Sequence, residues 1–122
     1  GNDMCVTGYS EVSHGTGRGY SKSIVRSKRA YTGNEVRPCL EYFNRPNGSL
    51  KVRAQFTGYF APHWTVCRDT GWLYSGGSTF EVRRTWSSWC GVTSYYTNSG
   101  LYVHNGVWRG GWLSSGNHYF DH

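Results

Sequence analysis

The chain has 122 residues, of which 37% are hydrophobic, 17% aromatic and 16% charged, and its formal net charge at pH 7 is +6. That length sets one domain with one core, and the composition excludes both an intrinsically disordered chain and a coiled coil. No apolar run approaches the ~20 residues that a membrane-spanning helix needs. The 17 glycines against three prolines and one methionine point to many tight turns between short strands, because glycine takes positive φ without steric cost.

In chain order, a first strand is expected around Met4–Tyr9, then a loop over Gly15-Thr16-Gly17-Arg18-Gly19. Ser23 to Thr32 is β-compatible but strongly basic and reads as an edge strand, where charge discourages unwanted pairing. Leu40–Phe43 and Leu50–Phe56 flank Arg45-Pro46-Asn47-Gly48-Ser49 and predict a hairpin turning at Asn-Gly. Asn47-Gly48-Ser49 also fits a glycosylation acceptor, although its turn role accounts for it fully. Leu50, Val52, Ala54 and Phe56 alternate with Lys51, Arg53, Gln55 and Thr57, the period-two pattern of a strand with one wet face. Beyond Pro62 the expected strands are His63–Cys67, Gly71–Tyr74, Thr79–Arg84, Val92–Thr97, Leu101–His104 and a segment from Val107. Ser75-Gly76-Gly77, Asn98-Ser99-Gly100 and Asn105-Gly106 supply reversals between them, the last as a two-residue turn. The fold class is therefore all-β, a single-domain β-sandwich or small open barrel over residues 1–122.

Cys5, Cys39, Cys67 and Cys90 lack the spacing of a structural zinc site and predict two disulfides. Of the three connectivities, Cys5 with Cys39 and Cys67 with Cys90 is expected, each closing a loop worth about 3 kcal/mol. Spacing alone leaves the other two open. Disulfides imply export, with any signal peptide removed ahead of Gly1. No cofactor and no metal is expected, and for His118 and His122 a frayed tail is the expectation. Arg18, Lys22, Arg26, Lys28, Arg29 and Arg37 lie close together with Glu35 the one acid among them, which predicts a basic face.

All six tryptophans lie between Trp64 and Trp112, and the chain adds ten tyrosines and five phenylalanines. One small core cannot hold that much ring surface, since a buried aromatic covers about 150–250 Å². Trp64, Trp72 and Trp89 are assigned to the core. The candidate binding residues are Trp86, Trp108, Arg109, Trp112, Tyr95 and Tyr102. Tyr95 and Tyr96 are adjacent, so on a strand they face opposite ways. A weak echo joins Gly71-Trp72-Leu73 to Gly111-Trp112-Leu113. No nucleophile elbow, His-Glu-x-x-His helix or phosphate loop is present. A ribonuclease assembled from Glu41 or Glu81, His63 or His104, and Arg53 or Arg83 has the right residue types but no spacing that joins them.

The runs Trp64 to Trp72 and Gly106 to Trp112 resemble small exported proteins of filamentous actinobacteria. In format the chain is similar to the adaptor subunit of umbrella toxin particles, a disulfide-containing β protein that joins lectin subunits to a large toxin chain. The resemblance covers at most the C-terminal half and transfers no site residues. It implies an antagonistic, non-enzymatic, protein-binding role. The expected function is accordingly a secreted adaptor or inhibitor that binds another secreted or cell-surface protein within an antibacterial toxin assembly. A lectin-like, glycan-binding module and a small cationic nuclease or antimicrobial toxin are the alternatives, and nucleic acid is not the expected partner.

Overall fold

A computed structural model describes residues 4–30, 39–87 and 90–120. Its strands are β1 (Met4–Gly15), β2 (Arg18–Arg29), β3 (Arg45–Phe60), β4 (His63–Asp69), β5 (Leu73–Gly77), β6 (Thr79–Trp86), β7 (Thr93–His104), β8 (Trp108–Ser114) and β9 (His118–Phe120). They form two sheets without barrel closure, one of three strands in the order β1, β2, β6 and one of six. In the larger sheet β3 and β7 are central. β4 and β5 share the outer side of β3, and β8 and β9 share the outer side of β7. The sheets pack face to face, and the expected pairs Cys5–Cys39 and Cys67–Cys90 are both bonded. Among the described residues no helix is long and apolar enough to cross a membrane.

The alternation in β3 is realised as expected, with Leu50, Val52, Ala54 and Phe56 buried. β7 answers it with Tyr95, Thr97, Ser99, Leu101 and Val103 on the same inner face. Two apolar clusters result. Met4, Val25, Leu50, Val52, Val82, Leu101 and Val103 form one, and Phe56, Tyr95 and Phe120 form the other.

Between them runs a seam of buried hydroxyls. Ser10 Oγ donates to the Thr97 carbonyl (2.9 Å), Ser99 Oγ to Ser10 (2.8 Å), and Ser23 Oγ pairs with Ser99 Oγ. Each hydroxyl has one proton, so the sequence of donors is Ser23 to Ser99 to Ser10 to the backbone. Ser21 Oγ contacts Thr97 Oγ1 at 2.9 Å and accepts Trp86 Nε1–H at 2.9 Å. Strands of both sheets thus share one polar network, and small hydroxylic residues allow the close approach.

Several local expectations are corrected. Ser23 to Thr32 was expected at an edge, yet β2 is the central strand of its sheet. Its inward residues are Ser21, Ser23, Val25 and Ser27, and Lys22, Arg26 and Lys28 lie on the opposite, solvent face, with Lys22 between Glu11 of β1 and Arg83 of β6. Gly15 and Gly19 lie inside β1 and β2, and the expected loop shrinks to a tight reversal at Thr16-Gly17, where φ is +69° at Gly17. Asn47-Gly48 makes no hairpin. Gly48, at φ +89°, interrupts the β3–β5 register, while Leu40 and Glu41 run beside Arg29. Asn98-Ser99-Gly100 does not turn either, because Ser99 belongs to the hydroxyl seam and β7 passes straight through. Ser75-Gly76-Gly77 leads from the larger sheet into β6 of the smaller one rather than into a hairpin. The β7–β8 reversal uses three residues, Asn105 to Val107, with Gly106 at φ +87°. The end of the chain is also less frayed than expected: β9 pairs with Thr93 to Tyr95, and Phe120 is buried. Tyr31, Thr32, Glu35, Arg37, Trp89, Asp121 and His122 lie outside the described residues.

Two substitutions separate a paired buried hydroxyl from an unpaired one. Ser99→Ala breaks the seam and strands its neighbours, with an expected loss of about 1–3 kcal/mol. Ser27 Oγ is buried with no hydrogen-bond partner among the described residues, so Ser27→Ala is expected to unfold at the same or a higher urea concentration. Urea unfolding monitored by fluorescence checks both.

Candidate functional site

The outward residues of the larger sheet build an aromatic face. Lys51 of β3 lies opposite Tyr102 of β7 and beside Tyr74 of β5. Its ammonium stands 4.5 Å from the Trp72 ring centre, 4.3 Å from Trp108 and 5.3 Å from Tyr102. Such cation–ring contacts draw the charge onto the negative faces of the rings. Around this hub Trp72 meets Tyr102 and Trp112, both at 5.6 Å, while Tyr74 and His104 flank Trp108 at 6.2 and 5.0 Å. Further along the sheet, Trp64 sits between Tyr59 and Tyr96, at 5.1 Å from each.

Glycine makes the close ring packing possible. Gly100 is the outward residue between Arg53 and Trp112, and a Cβ there would come within 2.7 Å of Trp72 Cη2 and 3.1 Å of Trp112 Cη2. The two indoles close over bare backbone. Gly110, opposite Tyr102, has φ +153°, and its Cβ would lie 1.9 Å from the Leu101 carbonyl oxygen. Only a residue without a Cβ lets β8 lie this close to the β7 backbone, while Trp108 and Trp112 share one face because they stand four residues apart on the same strand.

One ion pair borders the hub. Arg53 grips Asp69 through Nε and Nη2, the shortest contact being 2.6 Å. The Arg53 hydrogen bonds hold the Asp69 carboxyl below the usual carboxylate range, against its partial burial and with help from the Gly71 N–H and Gln55. Lys51 has no carboxylate partner among the described residues. The hub therefore keeps an uncompensated positive charge.

Three of the six expected site residues lie on this face. Trp108 (38% exposed), Trp112 (44%) and Tyr102 lie on the face, and Arg109 lies on β8 with its side chain turned to the other side of the sheet. Tyr95 does not. It is fully buried, stacks on Phe56 at 4.6 Å and donates its hydroxyl to the Gly91 carbonyl, and burial raises its phenol above the ordinary value. Of the adjacent tyrosines, Tyr96 is the outward one. Trp86 is half-buried over Phe56 and donates to Ser21, so it is a core residue as well. Conversely Trp64, expected in the core, is 41% exposed, and Trp72 covers the outer face.

Lys51, Trp72, Tyr74 and His104 were missed. The pairing of Lys51 with Tyr74 of β5 and Tyr102 of β7 brings them together, a long-range register that no local spacing in the sequence reveals. The repeated Gly-Trp-Leu also finds a place: Trp72, just ahead of β5, and Trp112 of β8 approach Gly100, while Leu73 packs on the aliphatic cluster and the exposed Leu113 lines a surface groove. The residues weighed for a ribonuclease are dispersed. Glu81 pairs with Arg83 on the smaller sheet, Glu41 pairs with Arg29, and Arg53 is held by Asp69. His104 packs on Trp108. Among the described residues no group of three or more His, Cys, Asp or Glu is placed to hold a metal.

Comparison with known proteins finds no matching family model, no similar curated protein and no similar solved structure.

Gly100→Ala is expected to push the Trp72 and Trp112 rings apart and alter the near-ultraviolet circular dichroism of the folded chain, the measurement that checks it. Because the folded Asp69 carboxyl titrates below its unfolded value, its contribution to stability is present above the unfolded value and is lost as pH falls through the folded one. Asp69→Asn is thus expected to lower the unfolding midpoint at neutral pH, with the difference vanishing in acid, as thermal unfolding across that range would show.

Proposed function

We propose that this chain is an exported, non-enzymatic protein-binding module, an adaptor or inhibitor, which docks a partner protein on the aromatic face of its larger sheet. The observation that carries this reading is the contiguity of Trp72, Trp108, Trp112, Tyr74 and Tyr102 around Lys51. Tryptophan and tyrosine supply most of the energy at protein interfaces, because they bury large rigid surfaces at small entropic cost. The two disulfides support export, and the resemblance to toxin-particle adaptors supports a role inside an antibacterial assembly.

Ring geometry favours protein over sugar. A flat sugar platform needs rings that share a plane, whereas Trp72 meets Trp112 at 58° and Tyr102 at 74°, and Tyr74 meets Trp108 at 63°. Interlocked, tilted rings form a corrugated apolar surface, suited to interdigitating side chains. The uncompensated Lys51 adds a preference for an acidic partner surface.

Cross-linking and affinity capture from the producing culture, with mass spectrometry of what is retained, tests the proposal. A discrete protein is expected on the native chain, with Trp108→Ala and Trp112→Ala each weakening its capture at least about tenfold. Retention unaffected by either change, or a response on a glycan array without protein capture, would refute it.

A further inference from the structure

Next to the aromatic face, a groove of about 460 Å³ lies where the two sheets meet along one side. Its walls are β1 and β8, which are the end strands of their respective sheets. Met4, Val6, Leu101 and Leu113 give it an apolar floor, and Arg109 stands at its rim. Among the described residues each wall pairs on one side only, β1 with β2 and β8 with β7. Alternate residues along such an edge turn their N–H and C=O groups outward. Near the middle of β8, Gly111 leaves a gap: a Cβ there would meet no atom within 4 Å.

From this arrangement, and resting on the protein-binding reading above, we infer that the partner contributes an extended segment that adds to the free edge of β8 as a further strand. Strand addition satisfies the outward main-chain groups, and the two faces of the added strand find different surroundings. On one face, alternate side chains enter the groove over Leu101 and the open space at Gly111. On the other, they join the sheet surface beside Trp108 and Trp112. Arg109 has no carboxylate partner among the described residues, so charge complementarity calls for an aspartate or glutamate in the segment. The occupant is thus an extended peptide of alternating polarity carrying an acidic side chain.

A phage-displayed library of linear peptides panned against the intact, oxidised protein supplies the probe. Peptides of alternating polarity with an acidic residue are expected to be enriched. Gly111→Leu, which fills the groove, and Arg109→Glu, which reverses the rim charge, should each weaken the selected peptide at least about tenfold. Methylating the peptide's backbone nitrogens at alternate residues should abolish binding in one register and spare it in the other, and hydrogen exchange should slow at β8 amides in the complex. Strand addition is overturned if no linear peptide is enriched over the Gly111→Leu control, or if both methylated registers bind equally. It is equally overturned if the protein alone is a dimer that Gly111→Leu dissociates, which would make a second copy the occupant. Partner capture that survives Gly111→Leu and Arg109→Glu but still fails with Trp108→Ala would remove this inference and leave the aromatic-face reading standing. Failure of the Trp108 and Trp112 variants to matter would remove that reading instead.

Discussion

The antiparallel pairing of β3 with β7 runs from Leu50 opposite Val103 to Gly58 opposite Tyr95, and both the core and the aromatic face hang on its register. One set of alternate residues fills the interior with Leu50, Val52, Ala54 and Phe56 against Thr97, Ser99, Leu101 and Val103. The other brings Lys51 to Tyr102 and Arg53 to Gly100. Because side chains repeat with a period of two, a slip of one residue would exchange the two sets. It would bury a lysine and an arginine and expose the seam hydroxyls. The interior therefore enforces the geometry of the exterior, and the face needs no separate device to align it.

The hydroxyl seam refines this constraint. Apolar packing alone is tolerant of small sliding movements between sheets, whereas Ser10, Ser21, Ser23, Thr97 and Ser99 form directed bonds across the interface. Buried polar groups of this kind are costly when unmatched. A shifted packing of one sheet on the other would leave several of them unmatched at once. The seam also separates the Phe56, Tyr95 and Phe120 cluster from the aliphatic one, while strand alternation leaves a second group of aromatics outside around Lys51.

What could be read from the sequence was local alternation and covalent pairing. The strand Leu50 to Phe56, the all-β class and the two cystines follow from period-two spacing, turn chemistry and cysteine count, and the exposure of Trp108 and Trp112 from a surplus of rings over what one core can hold. What could not be read depended on partners distant along the chain. Asn98-Ser99-Gly100 has turn composition, yet Ser99 is needed in the seam and Gly100 beneath two indoles, and these tertiary demands override local preference. Tyr95 and Tyr96 were known to face opposite ways, but which one faced inward awaited the Phe56 and Phe120 rings. Trp86 and Trp72 exchanged expected roles for the same reason: a hydrogen bond to Ser21 draws one indole inward, and a bare Gly100 receives the other.

The two cystines also have a mechanical meaning. Cys5 and Cys39 are separated by 34 positions, Cys67 and Cys90 by 23, and the two loops do not overlap. An extended chain spans about 3.3–3.6 Å per residue. A chain drawn out from outside the two loops leaves both loops unextended, including β2 and the stretch from Trp72 through β6. The residues inside each loop cannot add to the extended length even after the sheets have given way, so the cystines shorten the reach of the stretched chain.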